Sequence, residues 1–136
     1  NKLHLCHQFT VDDLHFLKRG GRVSGAAAVL GSMLGIKPVL HVDMEGHLIP
    51  VEKARGRNKA LNTLVEKMKK YADDQTGQAV FISHGNAAED AQIVADLVQK
   101  EFHVKAVTVN FIGPIVGSHS GPGTIALFFV GDKEKI

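Results

Sequence analysis

The sequence has little of what marks several common classes of protein. Its one cysteine, Cys6, excludes an internal disulfide bond. A formal net charge of +2 over 136 residues is too small to attract nucleic acid by bulk electrostatics. No apolar run approaches the roughly 20 residues of a membrane-spanning helix, so we expect at most a transient contact with a membrane surface. With no recognisable signal peptide, the single cysteine favours a reducing, cytoplasmic location.

The composition is that of an ordinary folded domain. Hydrophobic residues make up 44% of the chain and charged residues 22%, and a chain of this length can bury a core. We therefore expect residues 1–136 to form one domain. The first residue, Asn1, is not an initiator methionine, and residues 1–8 read like the end of a segment already under way. This favours a fragment whose N-terminal half is missing, with a processed or recloned single domain as the alternative.

Helical spacing and capping residues predict several helices. Residues 1–9 give a weak helical pattern. A capping box starting at Thr10 predicts a helix through Leu17 that stops at Gly20 and Gly21. The small apolar residues of 26–34 predict another, which either packs closely on a neighbour or lines an apolar tunnel. Residues 58–72 give the clearest amphipathic pattern, and a second capping box at 86–89 begins a further helix.

Apolar runs bounded by turn residues predict the strands. Residues 36–42 and 47–51 read as a hairpin, with Pro38 near the start of its first strand or on a sheet edge. Residues 78–83 and 104–109 flank a helix, which predicts a parallel pair. The last strand is 124–130. Together these elements predict an α/β fold, a mixed β-sheet with helices packed on it. Residues 83–86 then lie at the carboxyl end of a strand, where ligands often bind.

The most unusual segment is a Gly-dense loop over residues 113–123, with four glycines and two prolines. Glycine and proline fix an uncommon backbone path that lets a ligand or another segment approach closely. At its centre His119 stands between Ser118 and Ser120, a group of polar side chains suited to hydrogen-bonding a small anion such as a carboxylate. The alternative is a tight turn with a satisfied histidine.

Other chemistry finds less support. The basic segments 18–22 and 53–59 suit carboxylate or phosphate recognition, or form a solvated surface, and they lack the interleaved aromatics of nucleic-acid sites. His4, Cys6 and His7 are possible metal ligands, but no second cluster completes a tetrahedral set. Ser83 and His84 lack a nucleophile elbow and point to opposite faces of a strand. No glycine pattern matches a phosphate-binding fingerprint.

Four segments resemble the DegV family. Residues 13–24, 34–40, 55–61 and 112–123 read DLHFLKRGGRVS, LGIKPVL, RGRNKAL and IGPIVGSHSGPG. They are similar to the family elements D-L-x-x-L-x-x-G-G-R-[IV]-S, L-x-I-K-P-[IV]-L, R-x-R-x-K-A-[LI] and I-G-x-[VI]-[IV]-G-[ST]-H-[ST]-G-P-G. They occur in the family's order and extend over most of the chain. Each is weak alone, but together they are specific, and this chain is identified as the C-terminal domain of a DegV-like protein.

The resemblance implies a non-catalytic, two-domain protein that encloses one long-chain fatty acid and needs no other cofactor or metal. In such proteins the acyl carboxylate is presented to a separate fatty-acid kinase component, which makes an acyl-phosphate for phospholipid synthesis. His119 is then the carboxylate contact, within a ligand-binding loop that includes Gly117, Ser118, Ser120 and Gly121.

The resemblance also places arginines around the pocket mouth, where they engage the kinase. Arg22 is one of them, and either Arg55 or Arg57 is another. The family's remaining carboxylate contacts, a threonine and a serine, lie in an N-terminal domain that has no match here, so this chain carries half of the site.

Two other functions stay open from the residues alone. One is a small-molecule hydrolase or transferase with His119 as general base. The other is a purely structural or interaction domain. A fatty acid needs a large apolar enclosure and few polar anchors, and the apolar segments 26–34 and 111–116 with His119 fit that need better.

Overall fold

The computed structural model describes residues 2–23 and 35–136. Six strands of these residues form one mixed sheet in the order β3-β2-β1-β6-β4-β5. The strands are β1 (Leu5–Thr10), β2 (Ile36–Val42), β3 (Leu48–Arg55), β4 (Ala79–His84), β5 (Ala106–Phe111) and β6 (Ile125–Val130). Only β4 and β5 run parallel among these neighbours; the other pairs are antiparallel. The predicted α/β fold with a mixed sheet is confirmed.

Four α-helices within the described ranges accompany the sheet: α1 (His15–Arg19), α2 (Arg57–Tyr71), α3 (Ala88–Phe102) and α4 (Pro114–Ser120). Helix α2 forms where the apolar spacing predicted it, because Leu61, Leu64 and Met68 recur every three or four residues and are all fully buried. None of the helices within residues 2–23 and 35–136 is long and apolar enough to cross a membrane.

The two faces of the sheet carry separate hydrophobic clusters. Helices α2 and α3 cover one face and bury the larger cluster, which includes Val39, Ile82, Leu127 and Phe129. A smaller cluster on the other face is made by Phe9, Val11, Leu14, Leu17 and Leu40. A bulge between Val39 and Leu40 shifts the register of β2 against β3. Adjacent residues point to opposite faces, so Val39 enters the larger cluster and Leu40 the smaller one.

Three local predictions are wrong. Residues 1–9 are not a helix: a short 3-10 turn, Lys2–His4, leads into β1. Neither capping box forms. The Thr10 hydroxyl lies inside β1 and donates to the Pro38 carbonyl at 2.7 Å, and α1 has no side-chain cap. Helix α3 also has none, and the backbone N–H of Ala87 donates to Nδ1 of His84 instead.

The Gly-dense loop also differs from its prediction, because its centre is helix α4. Gly113 precedes the helix, Pro114 occupies its first turn and Gly121 follows its end. Proline suits the first turn since its missing N–H would have no helical partner there. The predicted hairpin, the helix at 58–72, the parallel pair and the last strand are confirmed with small shifts of their ends. The helix predicted at 26–34 lies outside the described residues.

Candidate functional site

An open cavity of about 520 Å³ lies on the face of the sheet away from α2 and α3. Its floor is formed by side chains of β1, β2, β3, β4 and β6, and helices α1 and α4 supply one end. The lining is mainly apolar and includes Phe9, Leu17, Val42, Leu48, Ile112, Ile115, Val116, Ala126 and Phe128. Such a surface excludes water along a hydrocarbon ligand rather than binding a polar one.

The cavity follows the strands from a polar end to an apolar end. At the polar end lie His119 and Ser120 of α4, with Thr124 just before β6. At the other end lie Gly46 and Leu48 of the β2–β3 hairpin. A groove of this form suits a molecule with one polar head and a long apolar body.

Ser120 has a chemical property that points to a ligand. Ser120 lines the cavity and is only 5% exposed, and its hydroxyl oxygen is buried with no hydrogen-bond partner among the described residues. A buried hydroxyl without a partner costs free energy, so an acceptor brought by a ligand would relieve that cost. The backbone beside it is fixed, because the Thr124 hydroxyl donates to the carbonyls of Ser120 at 3.2 Å and Gly121 at 2.9 Å.

His119 is held by close packing between α4 and α1. A Cβ placed on Gly20 would lie 2.6 Å from Nδ1 of His119, so only glycine leaves room for this ring. The two helices also meet at Gly121, whose φ of +83° favours glycine and whose added Cβ would lie 2.7 Å from the Phe16 ring. The glycines of two distant predicted elements therefore come together here and place the imidazole at the polar end of the cavity.

The other predicted loop residues are placed differently. The backbone N–H groups of Gly117 and Gly121 donate to Gly113 and Gly117 carbonyls within α4, so they are not free for a ligand. The Ser118 side chain is not among those that line the cavity. It is exposed, and its hydroxyl donates to the Ile115 carbonyl at 2.7 Å. Among the polar side chains of the loop, those of His119 and Ser120 line the cavity.

The three predicted arginines separate into two groups. Arg22 lines the cavity, is exposed and donates from Nη1 to the Gly20 carbonyl at 2.6 Å. Arg55 is exposed at the end of β3 and neighbours Ala54, which is buried in the larger cluster, so its side chain starts from the cavity side of the sheet.

Arg57 occupies a different position, at the start of α2. Its Nε donates to Asp90 Oδ2 at 2.8 Å, and its Nη2 donates to the Gly123 carbonyl. A weaker ion pair joins it to Asp12 at 3.7 Å. The guanidinium thus ties α2 to α3 and to the segment before β6, in a second, polar cavity that contains neither His119 nor Ser120.

His7 and Thr124 are polar cavity residues that the site prediction did not include, whereas Ser83 lines the cavity from the segment 83–86 expected at a ligand-binding strand end. His7 packs edge-on against Phe128, with ring centroids 5.2 Å apart. Burial, and secondarily the charge of Lys133, lowers the pKa of His7. Alternation along β1 would have placed His7 beside Phe9 on one face, but residues 1–9 had been interpreted as a helix. Within the described part of the chain, no cluster of three or more His, Cys, Asp or Glu residues can hold a metal ion.

Comparison with known proteins gives one consistent result. A family model described as "Uncharacterised protein, DegV family" matches residues 1–132. A DegV domain-containing protein of Clostridium perfringens is 44% identical over 135 residues, which are 99% of this chain and 46% of that protein. The chain spans about half the length of the curated relatives it matches.

Solved structures share the fold. A DegV family protein from Thermus thermophilus, described by its fatty-acid binding, superimposes with a TM-score of 0.81 at 30% identity and covers 93% of this chain and 45% of its own. The Fatty Acid Kinase (Fak) B3 protein of Streptococcus pneumoniae, loaded with linoleic acid, gives a TM-score of 0.84. At 18% identity over 95% of this chain and 45% of that one, the second match shows the fold alone.

Proposed function

Because this chain belongs to the DegV family, we propose that it forms part of a non-catalytic carrier that binds one long-chain fatty acid. The observation that carries the proposal is an apolar cavity that ends at Ser120, whose buried hydroxyl has no hydrogen-bond partner among the described residues. Few polar anchors in a large hydrocarbon surface are what a fatty acid needs. The fatty-acid binding described for the relative from Thermus thermophilus supports the same class of ligand.

The acyl carboxylate lies at the polar end of the cavity in this proposal. Ser120 donates its hydroxyl hydrogen to one carboxylate oxygen, and the His119 imidazole donates a ring N–H. Hydrogen bonds to a charged acceptor are stronger than those between neutral groups, so two of them can hold the head group while the chain lies along Phe9 and Phe128.

The open side of the cavity is closed by a second domain in this proposal, and the chain is the C-terminal domain of the pair. The fact that it spans 46% of its Clostridium perfringens relative supports this arrangement. A sheet face that leaves Phe81 and Val116 exposed would otherwise present apolar surface to water.

The partner is a cytoplasmic fatty-acid kinase component, which receives the carboxylate and makes an acyl-phosphate for phospholipid synthesis. Arg22 and Arg55 are the arginines that suit contact with it, because both are exposed and start from the cavity side. Arg57 serves the fold instead, since its guanidinium is already bound to Asp90 and Gly123. In this proposal the carrier presents the carboxylate, and the phosphoryl transfer belongs to the kinase.

Native mass spectrometry and lipid extraction of the natural full-length protein that contains this sequence test the proposal. We expect a co-purified fatty acid in the wild type and a reduced amount in His119→Ala. His4→Ala is the matched control, because His4 is exposed, does not line the cavity and keeps its backbone bond to Gly131 after the change.

Absence of lipid in the wild type, even after incubation with several fatty acids, would refute the carrier. If His119→Ala instead abolished turnover of a small substrate, the general-base function would replace it. Equal loss of lipid in His119→Ala and His4→Ala would show that the effect is not local to the polar end.

A further inference from the structure

His7 is a polar residue in an otherwise apolar row of the cavity floor. The strand register pairs His7 with Phe128 on β6, and the β1–β2 register continued by one residue places Val42 on its other side. The next residues outward in the same row are Leu48 on β3 and Phe81 on β4. On strands β3, β2, β1, β6 and β4, four of the five positions in this row are therefore hydrocarbon and one is an imidazole. Thr108 of β5 lies beyond Phe81, outside the cavity lining.

The row of His7 lies far from the polar end. Phe128, its neighbour, is four residues beyond Thr124 along the chain. At the rise of an antiparallel strand this corresponds to about 14 Å. An acyl chain whose carboxylate meets Ser120 would pass His7 in its middle or distal part, well away from its head group.

The His7 ring can offer a hydrogen bond there. Within residues 2–23 and 35–136 its nitrogens have no hydrogen-bond partner, and they are not among the polar atoms sealed from solvent. The direction of its pKa shift, downward through burial, favours the neutral ring near pH 7. A neutral imidazole has one N–H donor and one nitrogen acceptor. A saturated hydrocarbon chain laid over the ring would remove its water and leave both groups unpaired, which costs free energy.

We propose that His7 selects acyl chains that carry an oxygen substituent, a hydroxyl or keto group, in the middle or distal part of the chain. This inference rests on the proposed function and narrows its ligand to oxygenated fatty acids. A hydroxyl both donates and accepts, so it satisfies either tautomer of the ring. The surrounding row of Val42, Leu48 and Phe128 binds the hydrocarbon on either side of the substituent.

Competitive displacement of a fluorescent fatty acid from the natural full-length protein tests this with three ligands of equal length. They are stearic acid, 12-hydroxystearic acid and 2-hydroxystearic acid. We expect 12-hydroxystearic acid to bind about three- to tenfold more tightly than stearic acid, the gain from one net hydrogen bond. The hydroxyl of 2-hydroxystearic acid lies beside the carboxylate, far from His7, so no such gain is expected.

Two variants tie the preference to the ring. His7→Leu should abolish it and leave stearic acid affinity equal or higher, because the row becomes wholly apolar. His7→Gln keeps a donor and an acceptor and should retain part of it. Thermal unfolding of both variants checks folding, and His7→Gln still tests the inference if His7→Leu does not fold.

The outcomes separate this inference from the carrier itself. Stearic acid binding with no preference for 12-hydroxystearic acid would refute the role of His7 while leaving the carrier intact. A preference that persists in His7→Leu would refute it as well. Failure of all three acids to bind would refute the proposed function.

Discussion

Replacement of Ser120 by alanine should have opposite effects on stability and on ligand affinity. The hydroxyl is buried and has no partner among the described residues, so its removal from the empty protein loses no hydrogen bond. Alanine is also the better helix former at the end of α4. We expect the free energy of unfolding in urea to stay the same or rise by about 1 kcal/mol.

The affinity for a fatty acid should fall in the same variant, because in the proposed complex the fatty-acid carboxylate loses a hydrogen-bond donor. A hydrogen bond to a charged group contributes about 1.5–3 kcal/mol, and each 1.4 kcal/mol is about tenfold in affinity. We therefore expect Ser120→Ala to weaken fatty-acid binding by about ten- to a hundredfold, measured by displacement of a fluorescent fatty acid from the full-length protein.

Ser118→Ala is the matched comparison for this prediction. It removes the same atom from the same helix, but from an exposed hydroxyl that is bonded to the Ile115 carbonyl. We expect its affinity to stay within about twofold of the wild type, well below the effect of one charged hydrogen bond. Equal losses in Ser118→Ala and Ser120→Ala, or a destabilised Ser120→Ala with unchanged affinity, would refute the reasoning.

Three further predictions concern the stability of the fold and the properties of its buried groups. Arg57→Met should lower the free energy of unfolding in urea by about 1–2 kcal/mol, because Asp90 and the Gly123 carbonyl lose a partly buried donor. An unchanged free energy of unfolding would contradict the role of Arg57 in the fold. Burial raises the pKa of Cys6 to about 11, so its thiol should resist iodoacetamide at pH 8 until urea unfolds the protein, and rapid labelling of the native state would contradict this. Burial lowers the pKa of His41 below its ordinary 6.5, so the unfolded state binds the proton more readily than the folded state. The free energy of unfolding should therefore fall as the pH drops below about 6.5, and His41→Leu should reduce that pH dependence.

The long amphipathic helices and the core strands were predictable from the sequence, but β1 was not. Helix α2 shows its apolar face at every turn, whereas β1 is buried on both sides of the sheet. Gln8 and Thr10 are fully buried polar residues on one of its faces, and they hide the alternation that marks a strand. This error removed His7 from the predicted site.

The position of His119 could be predicted only in part. Its place in a glycine-rich segment was evident, but the helix around it was not, although a proline just inside and a glycine just beyond a helix are a known signature. The contact with Gly20 joins residues about 100 positions apart, which no local pattern reveals. The role of Arg57 was hidden for the same reason, since Asp90 and Gly123 are distant in sequence.

The separation of the two hydrophobic clusters by a single sheet has a consequence for how this protein can evolve. The cluster beneath α2 and α3 shares no residue with the one that borders the cavity. Substitutions on the cavity face, such as at His7, therefore change side chains on the opposite side of the sheet from Leu64, Ile82 and Leu127. Under the proposed function, one half of the domain can keep the larger cluster packed while the other half changes its preference from one acyl chain to another.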